Sequence, residues 1–347
     1  MRKLLLNLHL YGTLIAGIFV VILGLSGSII AFEAQLDRLF NPSLFDIAPQ
    51  ATAPLPLRTL AEVVQRRFPG GKVDGFVLPQ HPDTAHVAFI SGTAVFVNGY
   101  TGAILGTRRG PTLITRIHQI HTHLLAGKVG EMIVAVAGIV MLFLVISGVI
   151  LWWKYKKVSI RWNASLFRVM FDVHNATGIL SALFLLLLSL TGIAVAFDNP
   201  IARWTYKATG TSPIPRSLPS IPRQGAAPID PNDVLRIASA AEPGATLLSI
   251  DYPEDARDSY NVRMRFPEDR TPGGRSWVSV DQYSGKVLVA QNSRTAPLAV
   301  RAELLNRQIH TGDVFGTPSR IVMSASSLLV VLQAFSGVVM WWKRRKS

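Results

Sequence analysis

Eight histidines and no cysteine set the chemistry open to this 347-residue chain. The stretch "RIHQIHTHLLAG" (Arg116 to Gly127) puts His118, His121 and His123 directly before a long apolar run. "NRQIHTGDVFG" (Asn306 to Gly316) repeats its central "QIHT" around His310. His9 in "LHLYG" and His174 in "VHNATG" each open another apolar run, and His81 and His86 stand apart from them. Without thiolates there is no disulfide, no cysteine-ligated metal or iron–sulfur cluster, and no C-x-x-C-H attachment of a c-type haem. Any haem must be held non-covalently, with histidine as the available ligand. The plainer alternative is that a histidine at a span end caps carbonyls or sits among headgroups.

The elements that position these residues are read from the apolar runs. The chain is 49% hydrophobic and 16% charged, with a mean hydropathy of +0.32, too apolar for an ordinary soluble domain. Segments 1–32, 129–153, 175–197 and 320–342 are long enough to cross a bilayer as helices. The first is longer than the apolar core of a signal peptide, so it is expected to remain as a span. The net charge of +14 could suggest nucleic acid, but its placement argues against that. It gathers at Arg2 and Lys3, at Lys154, Lys156, Lys157, Arg161 and Arg168, and at Lys343, Arg344, Arg345 and Lys346. This positive-inside pattern places both termini, the 154–174 loop and the 343–347 tail in the cytoplasm, with Trp152–Trp153 and Trp341–Trp342 as interfacial anchors. Segments 33–128 and 198–319 then face the other side.

The chain reads as an internal duplication. Aligning His9 on His174 superposes "LSG" at 25–27 on "LTG" at 190–192, and aligning His121 on His310 superposes "SGVILWWK" (147–154) on "SGVVMWWK" (336–343). Each half is thus span, outer domain, span. The outer domains carry amphipathic helical patterns at 57–68 and 231–241. Strand patterns follow at 73–78, 86–90 and 93–97, and at 247–251, 260–266 and 276–280, with "YTG" and "YSG" supplying turns. The fold class is therefore a membrane protein with four transmembrane helices in two tandem repeats and two small α+β outer domains.

The duplication also sorts the histidines. A low-spin b-type haem takes one axial ligand from each face of its iron. His9 with His174 would form an inner site, and His121 with His310 an outer one. His118 is an alternative to His121, because three residues along a helix keeps the same face. His81, His86 and His123 are expected to be surface or structural residues. Along a straight helix the two sites would stand roughly 40 Å apart, unless a break at Gly127 or Gly130 shortens the path. No G-x-G-x-x-G or P-loop motif supports a nicotinamide or nucleotide site.

"LHLYG", "IHQIHTH", "VHNATG" and "YTGAILG" together resemble the PepSY-associated transmembrane family over nearly the whole chain, and within it the chain is similar to inner-membrane ferric-siderophore reductases. That resemblance implies two PepSY-like periplasmic domains in the bacterial inner membrane. It also implies two b haems on His9, His174, His121 and His310, and reduction of a ferric siderophore with release of Fe(II). Electrons would come from a quinol or a cytoplasmic reductase. A cleft between the outer domains is the expected substrate site, with Arg108, Arg109, Arg116, Arg301 and Arg307 available to attract an anionic chelate. No catalytic side chain is assigned. The alternatives are a siderophore or iron-chelate permease and a non-enzymatic membrane anchor that binds partner proteins.

Overall fold

The computed structural model of the protein describes every residue except Tyr155, Lys157 and Ser347; nothing is said of the Lys346 side chain. Of the basic residues that carry the positive-inside argument, Lys157 therefore lies outside the described residues. The helices are α1 (Arg2–Ile30), α2 (Glu33–Phe40), α3 (Pro42–Phe45), α4 (Leu57–Arg67), α5 (Leu113–His123), α6 (Gly127–Trp152), α7 (Leu166–Ala196), α8 (Asp198–Thr209), α9 (Pro231–Ala241), α10 (Leu298–Thr311) and α11 (Thr317–Lys346). The strands are β1 (Val73–Val77), β2 (His86–Ile90), β3 (Thr93–Val97), β4 (Ile104–Arg109), β5 (Thr246–Asp251), β6 (Ser259–Arg265), β7 (Ser276–Asp281) and β8 (Val287–Gln291). The chain forms two compact units, one helical and one built on a sheet.

The helical unit comprises residues 1–33, 112–205 and 302–347. Helices α1, α6, α7 and α11 are each long and apolar enough to cross a membrane, and the protein is a multi-pass membrane protein. Packing runs around a ring, α1 against α6, α6 against α7, α7 against α11 and α11 against α1. Large apolar side chains such as Ile15, Met132, Leu180 and Phe335 stay exposed on the outside of this ring. Such a surface suits hydrocarbon and not water. Inside, Gly24 lets α1 approach α11, where a Cβ would come within 2.9 Å of the Ser327 carbonyl.

Two of the helices begin before the histidines expected to open their apolar runs. α1 starts at Arg2 and α7 at Leu166, so His9 and His174 lie inside their helices instead of opening them. The Ser165 side chain caps α7 by accepting from the Arg168 amide, and a cap overrides apolarity as the signal for a helix start. α5 and α6 are separate helices. Leu124, Leu125 and Gly127 have φ of 50°, 58° and 55°, a left-handed turn that reverses the chain and lays α5 beside α1 and α6.

The sheet unit comprises residues 34–111 and 206–301. Helices α4 and α9 and every expected strand form close to where alternation places them. β4 and β8 add the partners across the "YTG" and "YSG" turns. The expectation of two separate small domains is corrected: all eight strands form one sheet in the order β4-β3-β2-β1-β5-β6-β7-β8. The halves are joined by antiparallel pairing of β1 with β5, Gly75 opposite Asp251 and Val77 opposite Ser249. Two further bonds lengthen the seam, Leu78 N to Leu248 O at 2.8 Å and Tyr252 N to Asp74 O at 2.8 Å. At Gly75 a Cβ would lie 2.4 Å from the Ile250 carbonyl, so only glycine fits the junction. Joining the edges satisfies two rows of backbone donors and acceptors that separate domains would leave open. Behind the sheet, Leu60, Val64, Val234, Ile250, Val262, Val278 and Val280 form one dry core shared by α4 and α9.

Candidate functional site

The described histidines separate by geometry. The rings of His9 on α1 and His174 on α7 face each other with centroids 6.3 Å apart and planes at 82°. Those of His121 on α5 and His310 on α10 lie 6.2 Å apart at 40°. α1 and α7 are not neighbours in the ring of spans, so the first pair reaches across the bundle. A metal–imidazole nitrogen bond is about 2.0 Å and a ring centroid sits about 1.2 Å behind its nitrogen, so two imidazoles on one ion put their centroids roughly 6.4 Å apart. The centroid separations of both pairs match that spacing.

Each ring is anchored through Nδ1. His9 meets Ser147 Oγ at 2.8 Å, and His174 meets Ser336 Oγ at 3.0 Å and the Gln333 carbonyl at 3.2 Å. His121 meets Ser26 Oγ and the Leu23 carbonyl, both at 3.2 Å, and His310 meets Thr191 Oγ1 at 3.2 Å. A carbonyl only accepts, so Nδ1 of His174 and His121 carries the proton, and Nε2 is left with its lone pair. Burial, with the nearby imidazole of His310 as a smaller cause, pushes His121 down to about 4. Burial does the same to His310. Both are neutral at neutral pH, the form that binds a metal.

A cavity of about 600 Å³ lies around His9 and His174, in the half of the helical unit that holds the ends of the spans near Arg2 and Arg344. Its walls are largely apolar, and Arg2, Lys3 and Arg344 line the end nearest the termini. His121 reaches Ser26, which lies 17 residues beyond His9 (26 − 9) on α1. His310 reaches Thr191, 17 residues beyond His174 (191 − 174) on α7. The pairs are therefore about 25 Å apart along the spans, against the roughly 40 Å of an unbroken helix. The left-handed turn before α6 makes the difference.

The remaining histidines have other partners. His118 Nδ1 contacts Glu33 Oε2 at 2.8 Å with its side chain 48% exposed. The Nδ1 of His123 has no partner among the described residues. His86 is buried on β2 beneath Gly99, where a Cβ would be 2.5 Å from its ring. Its Nδ1 is also unpartnered among the described residues, and burial pushes its pKa down to about 4. The neutral form belongs to the folded state, so its contribution is intact above about pH 6.5 and is lost as pH falls toward 4. This amounts to about 3 kcal/mol at most. Melting of the purified protein should drop between pH 7 and pH 4.5, and His86→Gln should flatten that drop; an unchanged profile would remove His86 as its cause.

The five arginines do not form one patch. Arg108, on β4, pairs with Asp37 at 2.7 Å and stacks near Phe45 and Phe96, so its charge is neutralised locally. Arg109 and Arg301 are exposed residues of the sheet unit, and Arg116 and Arg307 are exposed on α5 and α10 of the helical unit. Only Arg307 is placed electrostatically against a paired histidine, lowering the pKa of His310 after burial has acted. The substrate cleft is expected between two outer domains, and among the described residues those domains share one continuous sheet through the β1–β5 pairing.

The residues missed from sequence are the hydroxyls that hold the rings, Ser26, Ser147, Thr191 and Ser336. The signal was visible: a Ser-Gly or Thr-Gly dipeptide in each of the four spans. Among the described residues no cluster of three or more histidines and carboxylates could hold a metal ion. No curated protein sequence gives a significant match. The family model described as PepSY-associated TM region matches residues 6–344. The chain belongs to the PepSY-associated TM family.

Proposed function

We propose that the protein binds two b-type haems and passes single electrons along the bundle to a ferric chelate of the siderophore class. The observation that carries this reading is the pair of facing imidazole couples, each near 6.3 Å between centroids. Haem supplies a one-electron couple when bound. His9 and His174 would hold one macrocycle in the 600 Å³ cavity, where the apolar walls exclude water and Arg2, Lys3 and Arg344 suit its carboxylates. His121 and His310 would hold the other. The basic residues at the termini favour the cytoplasm for that end and a bacterial inner-membrane location, with a quinol or cytoplasmic reductase as donor. At the far end Arg116 and Arg307 offer positive charge to an anionic chelate. One electron converts the chelated Fe(III) to Fe(II), which hard oxygen donors hold weakly, and iron leaves without any bond of the chelator breaking.

A second reading is a permease or a haem-free anchor whose sheet unit binds a partner. It is favoured by the absence of any three-residue metal cluster among the described residues and by a family match that specifies no reductase. A macrocycle that brings its own equatorial ligands needs only two protein ligands, so the first reading stands with that absence. The deciding measurement is a reduced-minus-oxidised absorption spectrum of detergent-purified protein, with haem quantified per chain. Sharp b-type bands near two haems per chain are expected. A colourless protein after haem-supplemented expression would leave the second reading.

A further inference from the structure

Each of the four imidazoles is served by the same two-residue device on a neighbouring helix. Ser26-Gly27 of α1 faces His121, Ser147-Gly148 of α6 faces His9, Thr191-Gly192 of α7 faces His310, and Ser336-Gly337 of α11 faces His174. In each dipeptide the hydroxyl donates its own proton one turn back along its helix: Ser26 to Ile22 O at 2.6 Å, Ser147 to Phe143 O at 2.7 Å, Thr191 to Leu187 O at 2.6 Å and Ser336 to Leu332 O at 2.7 Å. A hydroxyl has one proton to give. Its oxygen can then only accept from the imidazole, which forces the proton onto Nδ1 and leaves Nε2 bare.

We infer that Ser26, Ser147, Thr191 and Ser336 are positioning residues that lock all four histidines in the tautomer that presents Nε2 to a metal. The inference rests on the haem reading for the identity of that metal, and on hydrogen-bond bookkeeping for the rest. The glycines play a narrower part. At Gly27 and Gly192 a Cβ would stand 2.8 Å and 3.0 Å from the Cε1 of His121 and His310, too close for the rings to keep their places. At Gly148 and Gly337 the corresponding 3.4 Å and 3.9 Å are ordinary contacts. The glycine is therefore required at the His121–His310 pair and tolerant of alanine at the other. Nδ1–H bonds of this kind fix ring orientation and raise the basicity of the ligating nitrogen.

The test uses full-length purified protein carrying Ser147→Ala, Ser336→Ala or both, with Ser147→Thr as the conservative control. Alanine should weaken haem retention about 10- to 100-fold, the range typical for loss of a partner that orients a ligand. It should also shift the midpoint potential of that haem upward, because a less basic imidazole stabilises Fe(III) less. Threonine should restore both values. Unchanged retention and potential in alanine variants that still bind haem would overturn the positioning role and leave the haem reading intact. If the parent protein binds no haem, the haem reading fails by itself, and the tautomer is read from imidazole ¹⁵N shifts in labelled protein. Protonated Nδ1 and bare Nε2 at all four histidines would sustain the inference; Nε2–H at any of them would overturn it.

Discussion

Purified His310→Ala protein should carry about one haem per chain where the parent carries about two, with the loss confined to one spectral component. His310 has no spare counterpart: its ring faces His121 at 6.2 Å and Thr191 holds its Nδ1. Alanine leaves His121 alone on one side of the site with an apolar gap opposite. Losing a residue that would hold the haem directly should exceed the 10- to 100-fold penalty of losing a residue that only orients one, so the haem should wash out during purification. His121→Ala should behave in the same way. His118→Ala is the control, because that ring is 48% exposed and engaged with Glu33, and removing such a surface pair costs about 0–1 kcal/mol. Retention of two haems in His310→Ala would remove His310 from the ligand set. Loss of haem in His118→Ala would put His118 back into it.

The second large effect is structural. Arg320, at the start of α11, and Asp313, in the short turn after α10, form an ion pair with both side chains over 90% buried. Arg320 Nε donates to Asp313 Oδ1 at 3.1 Å, Thr311 Oγ1 donates to the other carboxylate oxygen at 2.6 Å, and the guanidinium lies 5.8 Å from the centre of the Phe32 ring. Arg320→Ala leaves the carboxylate buried without its counter-charge, which costs about 3–5 kcal/mol. Asp313 follows His310 by three residues, so the corner that holds that ring should loosen as well. Arg320→Ala should melt well below the parent and lose the haem at the His121–His310 pair first. Asp313→Leu combined with Arg320→Met should recover most of the stability, because no charge is then stranded. Equal melting of parent and Arg320→Ala would show that the pair contributes little.

Features that local chemistry dictates are legible in the residues themselves. Four apolar runs of membrane length can only be buried as helices with their backbone bonds satisfied internally, and the structure has those four helices. Alternation at 86–90 and 93–97 marks strands because it puts one face of each on a core. Aligning "QIHT" with "QIHT" pairs His121 with His310 and leaves His118 as the alternative, and in the structure the His121 ring lies 6.2 Å from that of His310.

How distant pieces meet depends on long-range packing that no local pattern encodes. Nothing in β1 or β5 announces that they will pair, since an edge strand offers the same backbone groups to any partner; the pairing joined two expected domains into one sheet. Asp37 took Arg108 out of the cationic set through a contact 71 residues away in sequence. The left-handed turn at Leu124 and Leu125 shortened the distance between the histidine pairs, although neither leucine favours that conformation. The Ser-Gly and Thr-Gly dipeptides were in view as alignment landmarks, yet their part in holding the rings needed α6 beside α1 and α11 beside α7. A hydroxyl that bonds its own helix looks alike in every span until packing sets an imidazole against its oxygen.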